Sequence, residues 1–485
     1  MTKKNLIGIS LAASYVLTAL IAGCIPEDSL QWNADGSKGI YSKKGALFLV
    51  DGNSGSLTKI ADRETTALWP AISPDGSMFA YSQIIEVSDF NNAFKLLPPS
   101  QVKEIENSAE ILRQKILVQN TFKDKFPSLD DTGNEQHIAW IQHYLVENAD
   151  RQLADKIGSE LFRKTKQNEL SYYRLIISSA DDPNNKKIIM TSDRALWRQR
   201  FSPDSKLLAW VIDSKIDKAF DAGFDLYVAE ISGKITPALV APAVAVTYDF
   251  RQDSRAISYI KPENENFKDQ ELVLGSLVEK IIIDPDGKFL VCPDKNIPET
   301  YTCTGNTKES AGVLYCPWMS VSYARNNRIF FSSGKITLPS SKLDTDKGSV
   351  FCCDTLTGSV SDILPEIASD FTQGNYYLFQ LSHDSRRILL PGNKNTFGIY
   401  ALGPDIENSK VLVDVNESFG DDSPPELVPK WKGQNQVSCL VSEKSRYLTN
   451  DPNTPHSRKE IIILDDKGNL IQVLSKSWPD ELLDF

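Results

Sequence analysis

Along most of the chain, apolar and polar positions follow one rhythm: short apolar runs separated by tight polar turns. Met78-Phe-Ala-Tyr-Ser82 and Leu207-Leu-Ala-Trp-Val211 are apolar runs of strand length bounded by turn residues, which predicts buried strands. Each follows a turn of one type. The copies read Leu30-Gln-Trp-Asn-Ala-Asp35-Gly36, Ala71-Ile-Ser-Pro-Asp75-Gly76, Arg200-Phe-Ser-Pro-Asp204-Ser205 and Asp249-Phe-Arg-Gln-Asp253-Ser254. Weaker copies stand at Tyr323-Ala-Arg-Asn326, Leu381-Ser-His-Asp384-Ser385 and Trp431-Lys-Gly433. Proline presets φ at the second turn position, aspartate hydrogen-bonds its own backbone, and Gly or Ser takes the tight bend.

Behind most copies lies a second hairpin, as in Ala46 to Ile60, Leu226 to Ile235, Val350 to Val360 and Ile461 to Ile471. Two hairpins per period make four strands, which is one propeller blade. The residues Ser73-Pro-Asp-Gly76 and Phe201-Ser-Pro-Asp204 resemble the repeat of TolB-type (WD40-like) propellers, over nearly all of 30–485. The resemblance implies an all-β β-propeller. The visible turns predict seven blades, with six as the alternative because the last turn lacks its aspartate. Ser477-Trp-Pro-Asp-Glu481 faintly echoes Leu68-Trp-Pro70 and is expected to supply a strand that helps close the ring.

Residues 86–169 break the rhythm and predict a small α-helical insertion in blade two, between strands Met78–Ile85 and Tyr172–Ser178. Pro98-Pro99-Ser100 reads as a helix entry with Ser100 as N-cap, ahead of helix formers from Gln101 to Phe122. Ile138, Ile141, Leu145, Ala149, Leu153, Ile157 and Leu161 recur at helical steps and form one apolar stripe. His137 and His143 lie here, but six residues on a helix turn them about 240° apart, so one helix cannot bring both to one ion. They read as surface or packing histidines. His383, in a turn copy, and His456, in a polar loop, have no partner pattern.

The first residues are unlike the rest. Lys3 and Lys4 precede an apolar run from Leu6 to Ile21, then Ile21-Ala-Gly-Cys24. A basic start, an apolar core and small residues make an export signal, and the run falls short of the ~20 residues that span a bilayer comfortably. Ile-Ala-Gly-Cys resembles the bacterial lipobox. The resemblance implies a signal peptide over 1–23, lipidation at Cys24, a tether over 24–29 and a membrane partner through the lipid. Ile25, where an aspartate would retain the chain at the inner membrane, favours the outer membrane in two-membrane bacteria, facing the periplasm or the cell surface.

Net charge is −11 over 485 residues, and no Lys/Arg stripe interrupts the acidity, which argues against nucleic acid. Cys292, Cys303, Cys316, Cys352, Cys353 and Cys439 show no zinc-ligand spacing and read as structural thiols or disulfides, their pairing unfixed. Asp344-Thr-Asp346-Lys-Gly348 hints at a calcium loop but lacks a third ligand and the distal glutamate.

The sequence holds no nucleophile elbow, phosphate loop, His-Glu-x-x-His zinc site or dinucleotide turn. The expectation is therefore no enzyme, no cofactor and no metal, but a binding or scaffold module of the cell envelope whose partner is an envelope protein or glycan. An envelope hydrolase or lyase with its site in the propeller funnel is the alternative. The links between second and third strands are long at 86–169, about 213–224, about 261–270, about 335–348 and about 443–458. They predict an elaborated binding face, with Phe220, Phe224 and Phe267 as anchors.

Overall fold

The computed structural model describes residues 29–122, 135–148, 152, 170–213, 224–232, 236–244, 246–262, 270–276, 282–283, 289–290, 300–302, 313–315, 321–323, 328–337, 343–354, 360–362, 379–391, 396–402, 411–414, 429–442, 445–449 and 458–483. Its strands are antiparallel and follow the turn repeat. The first sheet runs β1 (Ser29–Trp32), β2 (Lys38–Lys43), β3 (Ala46–Asp51), β4 (Leu57–Ala61). The second runs β5 (Ala67–Ile72), β6 (Met78–Glu86), β7 (Ser171–Ser179), β8 (Lys186–Ser192). The third is β9 (Leu196–Phe201), β10 (Leu207–Asp213), β11 (Phe224–Glu230), β12 (Ala238–Val244).

Two sheets are then irregular. One pairs β13 (Tyr248–Phe250), β14 (Ala256–Pro262) and β15 (Gln270–Ser276), skips a ribbon of β16 (Ile282–Ile283) and β17 (Phe289–Leu290), and ends on β18 (Thr300–Thr302). The other orders β19 (Val313–Tyr315), β21 (Arg328–Thr337), β22 (Leu343–Asp354) and β23 (Val360–Asp362), with β20 (Val321–Tyr323) also on β21. Regularity returns with β24 (Gln380–Leu381), β25 (Arg387–Pro391), β26 (Thr396–Ala401), β27 (Val411–Asp414), and with β28 (Lys430–Lys432), β29 (Gln436–Val441), β30 (Glu460–Asp465), β31 (Leu470–Val473). First strands touch one another: β1 meets β28 and β5, β5 meets β9, β13 meets β20, and β24 meets β28. Fourth strands face outward, as the exposed residues of β4, β8 and β31 show. This is a β-propeller. The expected seven uniform blades are corrected to five regular ones among the described residues, two irregular sheets standing between the third and the fourth.

The turn aspartates do what the motif predicts. Asp75 Oδ1 accepts from Ser73 Oγ at 2.6 Å, Ser77 N at 2.9 Å and Ser77 Oγ at 2.8 Å. Asp204 and Asp384 repeat the pattern with Ser202 and Ser382. The turns also bind each other. Ala34 N donates to Pro74 O at 2.9 Å, Asp75 N to Ser205 Oγ at 3.2 Å, and Asp204 N to Ser254 Oγ at 3.0 Å. One polar turn thus orders its own blade and fastens the next.

Three helices lie between β6 and β7: α1 (Phe90–Phe94), α2 (Pro99–Phe122) and α3 (Glu135–Glu147). Phe90, Leu97, Ile105, Leu112, Trp140 and Ile141 form a core there with Ile138 and Leu145, closed on the propeller side by Tyr172. The expected N-cap at Ser100 is corrected: Pro98 O accepts from Gln101 N and Val102 N, so the helix starts two residues earlier, with Pro99 in the position where a missing N–H is harmless. Of the expected stripe, Ala149, Leu153, Ile157 and Leu161 lie outside the described residues.

A further correction concerns the C-terminal segment. Ser477 to Glu481 forms no strand. A turn and a short 3-10 helix (Asp480–Leu482) follow β31 instead, and Trp478 is buried beside Tyr41 with ring centroids 5.1 Å apart. Another concerns the link at 335–348: β21 and β22 continue as a long hairpin through much of it.

Candidate anion site in the central channel

The inner strands β5 and β9 carry the same irregularity at the same place. Pairing slips between Leu68 and Ala71 on β5, and opposite Ala209 to Val211 on β9. Trp69 and Arg198 stand at these bulges with φ of 52° and 54°, a left-handed region that bulky residues rarely occupy. Such strain persists only where the surroundings hold it, and it clusters at binding sites. The two bulges bring their side chains together. Trp69 lies 5.4 Å from the Trp197 ring, and the Arg198 guanidinium sits 5.7 Å from the centre of the Trp69 ring.

Arg200, two positions on, pairs its Nη1 with Asp249 Oδ1 of β13 at 2.5 Å, and its side chain is 45% exposed. Tyr248 donates its hydroxyl to the Arg198 carbonyl. Burial first, and Arg200 and Arg198 only partly against it, leave the phenol well above its usual range and therefore protonated. The third cation comes from the last sheet. Burial, then the charges of Arg198 and Arg200, push the Lys430 ammonium down to about 7. The first and second sheets stand between Lys430 and the two arginines around the ring, so these cations meet across the channel. Burial and then Arg200 lower Arg198 to about 10. Asp249 offsets Arg200, whereas the charges that act on Lys430 are those of Arg198 and Arg200. In an acidic chain, this channel holds facing cations in a partly desolvated setting, where a bound anion is strongly favoured.

The residues singled out in the sequence fall elsewhere. Cys24, Phe220, Phe267 and His456 lie outside the described residues. Phe224 opens β11, half-buried, paired with Asp213 and Val244. His143 stacks on Phe90 at 5.5 Å, and burial holds its imidazole below the usual value, with Glu147 opposing. His383 is likewise lowered by burial. His137 instead enters a polar network. Asp344 to Gly348 lie within strand β22 and not in a loop. Cys352 and Cys439 are buried. Among the described residues no three His, Cys, Asp or Glu side chains gather as a metal site, and no helix is long and apolar enough to cross a membrane.

The channel cations were missed because Trp197-Arg198-Gln199-Arg200 looks like an ordinary half-exposed strand. A signal was nonetheless present. Four positions before the turn aspartate stand Gln31, Arg200, Asp249 and Gln380, polar residues on strands that are otherwise core.

No family model and no curated protein matches the sequence. Among solved structures, TolB from Acinetobacter baumannii overlays with a TM-score of 0.35 at 16% identity, over 61% of this chain; the chain spans 58% of that protein. Hydrazine synthase of Kuenenia stuttgartiensis gives a TM-score of 0.45 at 10% identity, over 91% of this chain and 96% of that one. The β-propeller domain of the Trilobed protease from Pyrococcus furiosus gives 0.43 at 11% identity, over 93% and 99%.

Proposed function

We propose that this chain is an exported, lipid-anchored binding module of the bacterial cell envelope, which takes an acidic group of its partner into the central channel. The single observation behind the binding site is the meeting of Arg198, Arg200 and Lys430 across the channel against one paired carboxylate, Asp249. Trp69 and Trp197 add flat apolar surface for the body of a ligand. Export and anchoring rest on the basic, apolar and Ala-Gly-Cys24 succession. We further infer that the helices α1 to α3 form an accessory unit of blade two.

The test is a titration of the Cys24→Ser protein with a short acidic peptide, its amidated neutral counterpart and an oligouronate, read by tryptophan fluorescence. Saturable binding of an acidic probe is expected, weakened at least about tenfold by Arg198→Ala or by Lys430→Met. Lys430 is charged below about 7, so affinity falls as pH rises through that value. Equal binding of neutral and acidic probes, or unchanged binding in a folded Arg198→Ala/Lys430→Met protein, would sink the proposal.

A further inference from the structure

Where the helical unit meets the propeller, three side chains line up in hydrogen-bonded order. Asp193, in the short link from β8 to β9, receives His137 Nδ1 at 2.8 Å on its Oδ2. His137 Nε2 faces Ser108 Oγ of α2 at 3.2 Å. His137 is 0% exposed and Asp193 1%, while Ser108 is half-buried, so the chain of contacts runs from the interior to a hydroxyl that solvent reaches. The aspartate is fixed from its other sides. Its backbone N–H donates to Gln101 Oε1 at 3.3 Å, and the Arg194 guanidinium lies 3.4 Å from its Oδ1. Burial opposes its ionisation, but the His137 hydrogen bond and the charge of Arg194 outweigh that and hold the carboxyl below its usual range.

An ionised Asp193 keeps the imidazole proton on Nδ1, which leaves Nε2 as an acceptor aimed at the serine proton. That is the division of labour between orienting acid, general base and nucleophile, and it is recognised by geometry whatever the fold or chain order. We propose that Ser108 is an activated nucleophile with His137 as its base and Asp193 as positioning residue, a site for acyl transfer from carboxylic esters. Ser108 Oγ adds to the ester carbonyl carbon as its proton passes to His137 Nε2. The bond to the leaving oxygen breaks, and that oxygen takes the proton from Nε2. Water then adds to the acyl group by the same route, releasing the carboxylic acid and restoring Ser108. Glu104, one helical turn before Ser108, pairs with the same Arg194 guanidinium at 3.6 Å, which ties α2 to the aspartate side of the triad. This site is separate from the channel and stands or falls independently of it.

The experiment treats the full folded chain with a neutral fluorophosphonate and maps the adduct by mass spectrometry. Ser108 is expected to be labelled stoichiometrically, at a rate that rises with pH to a plateau along one titration. Asp193→Asn is expected to slow labelling at least about a hundredfold, because the tautomer is no longer enforced. A structural network alone predicts no reactivity. Since changes at His137 or Asp193 disturb a buried pair, the wild-type result decides. An unlabelled Ser108 in a folded protein overturns the proposal, and so does labelling whose rate ignores pH.

Discussion

In the turns that follow the inner strands, the residue after the aspartate adopts a left-handed backbone whichever side chain it carries. Gly76 has φ of 71°, whereas Ser205, Ser254 and Ser385 hold 61°, 61° and 56°. The three serines are not equivalent. Ser205 and Ser254 accept backbone N–H groups of the preceding blade's turn, at 3.2 and 3.0 Å, which repays their strain. Among the described residues the buried Ser385 hydroxyl has no hydrogen-bond partner. Left-handed backbone costs a side-chain-bearing residue about 1–2 kcal/mol, and an unmet buried hydroxyl adds to that. Ser385→Gly is therefore expected to raise stability by about 1 kcal/mol after the extra unfolded-state entropy of glycine, and Ser205→Gly to give no gain. Denaturant midpoints of the two variants check this; equal shifts would contradict it. The turn aspartates add a pH term. Burial works against ionisation of Asp75, yet hydrogen bonds from Ser73 and Ser77 prevail and lower its pKa. A depressed folded-state value means stabilisation that is complete above the unfolded carboxylate pKa of about 3.9 and vanishes as pH falls through the folded value. Asp75→Asn should accordingly cost stability at pH 7 and progressively less below about pH 4, read from melting temperature against pH.

Elements differ in how far their residues announced them. The four-strand meanders were legible because turn chemistry and strand pattern agree at each copy, as at Ser73 to Tyr81. The α3 stripe was legible too: Ile138, Ile141 and Leu145 are all buried. The bulges at Trp69 and Arg198 were not, because nothing in local propensity marks a tryptophan or an arginine for a left-handed conformation. Nor was the role of His137, whose partners Ser108 and Asp193 come from distant elements that only packing brings together. The helices own a core, and Trp140 sits in its middle, fully buried, with Nε1 donating to Ser171 O at 3.0 Å. Trp140→Ala removes about 3–5 kcal/mol of packing from that unit. Because most of this cluster is helical, the loss is expected to appear as weakened amide protection in α2 and α3, with β5 and β6 unaffected. Hydrogen exchange resolved by segment tests this, and an even loss across the chain would show that the helices share the propeller's cooperativity.

For the molecule as a whole, the critical place is the seam. Each regular sheet is built from consecutive strands, so the first and last sheets exchange no strand and the ring must be held shut by side chains. Trp32 Nε1 donates to Ser438 Oγ at 2.9 Å, and Gln472 Nε2 to Asn53 O at 3.0 Å. The stretch beyond β31 then folds back over both sheets. Trp478 Nε1 donates to Gly55 O at 2.6 Å, Tyr41 donates its hydroxyl to Leu482 O at 2.6 Å, and Trp478, Leu482 and Leu483 join Leu30, Tyr41, Phe48 and Ile463 in one buried cluster. Arg458 fastens the stretch from outside, donating to the carbonyls of Ser475, Lys476 and Trp478. The contacts of Trp32, Tyr41, Gln472 and Trp478 each span more than four hundred residues of chain, so the segment stabilises the closed ring and neither edge blade alone. Removing 476–485 should lower the melting temperature and expose the β1–β28 boundary, giving new proteolytic cuts in the first and last sheets while the third stays resistant. Trp478→Ala should do the same in smaller measure, about 3–5 kcal/mol for a buried tryptophan. The channel makes the prediction sharper, since Lys430 stands on the last sheet and Arg198 on the third. Opening the seam separates these cations, so acidic-probe affinity should fall in the truncated chain in step with seam protection. A truncated protein that melts and binds like the full chain would mean that the inner strands alone close the ring.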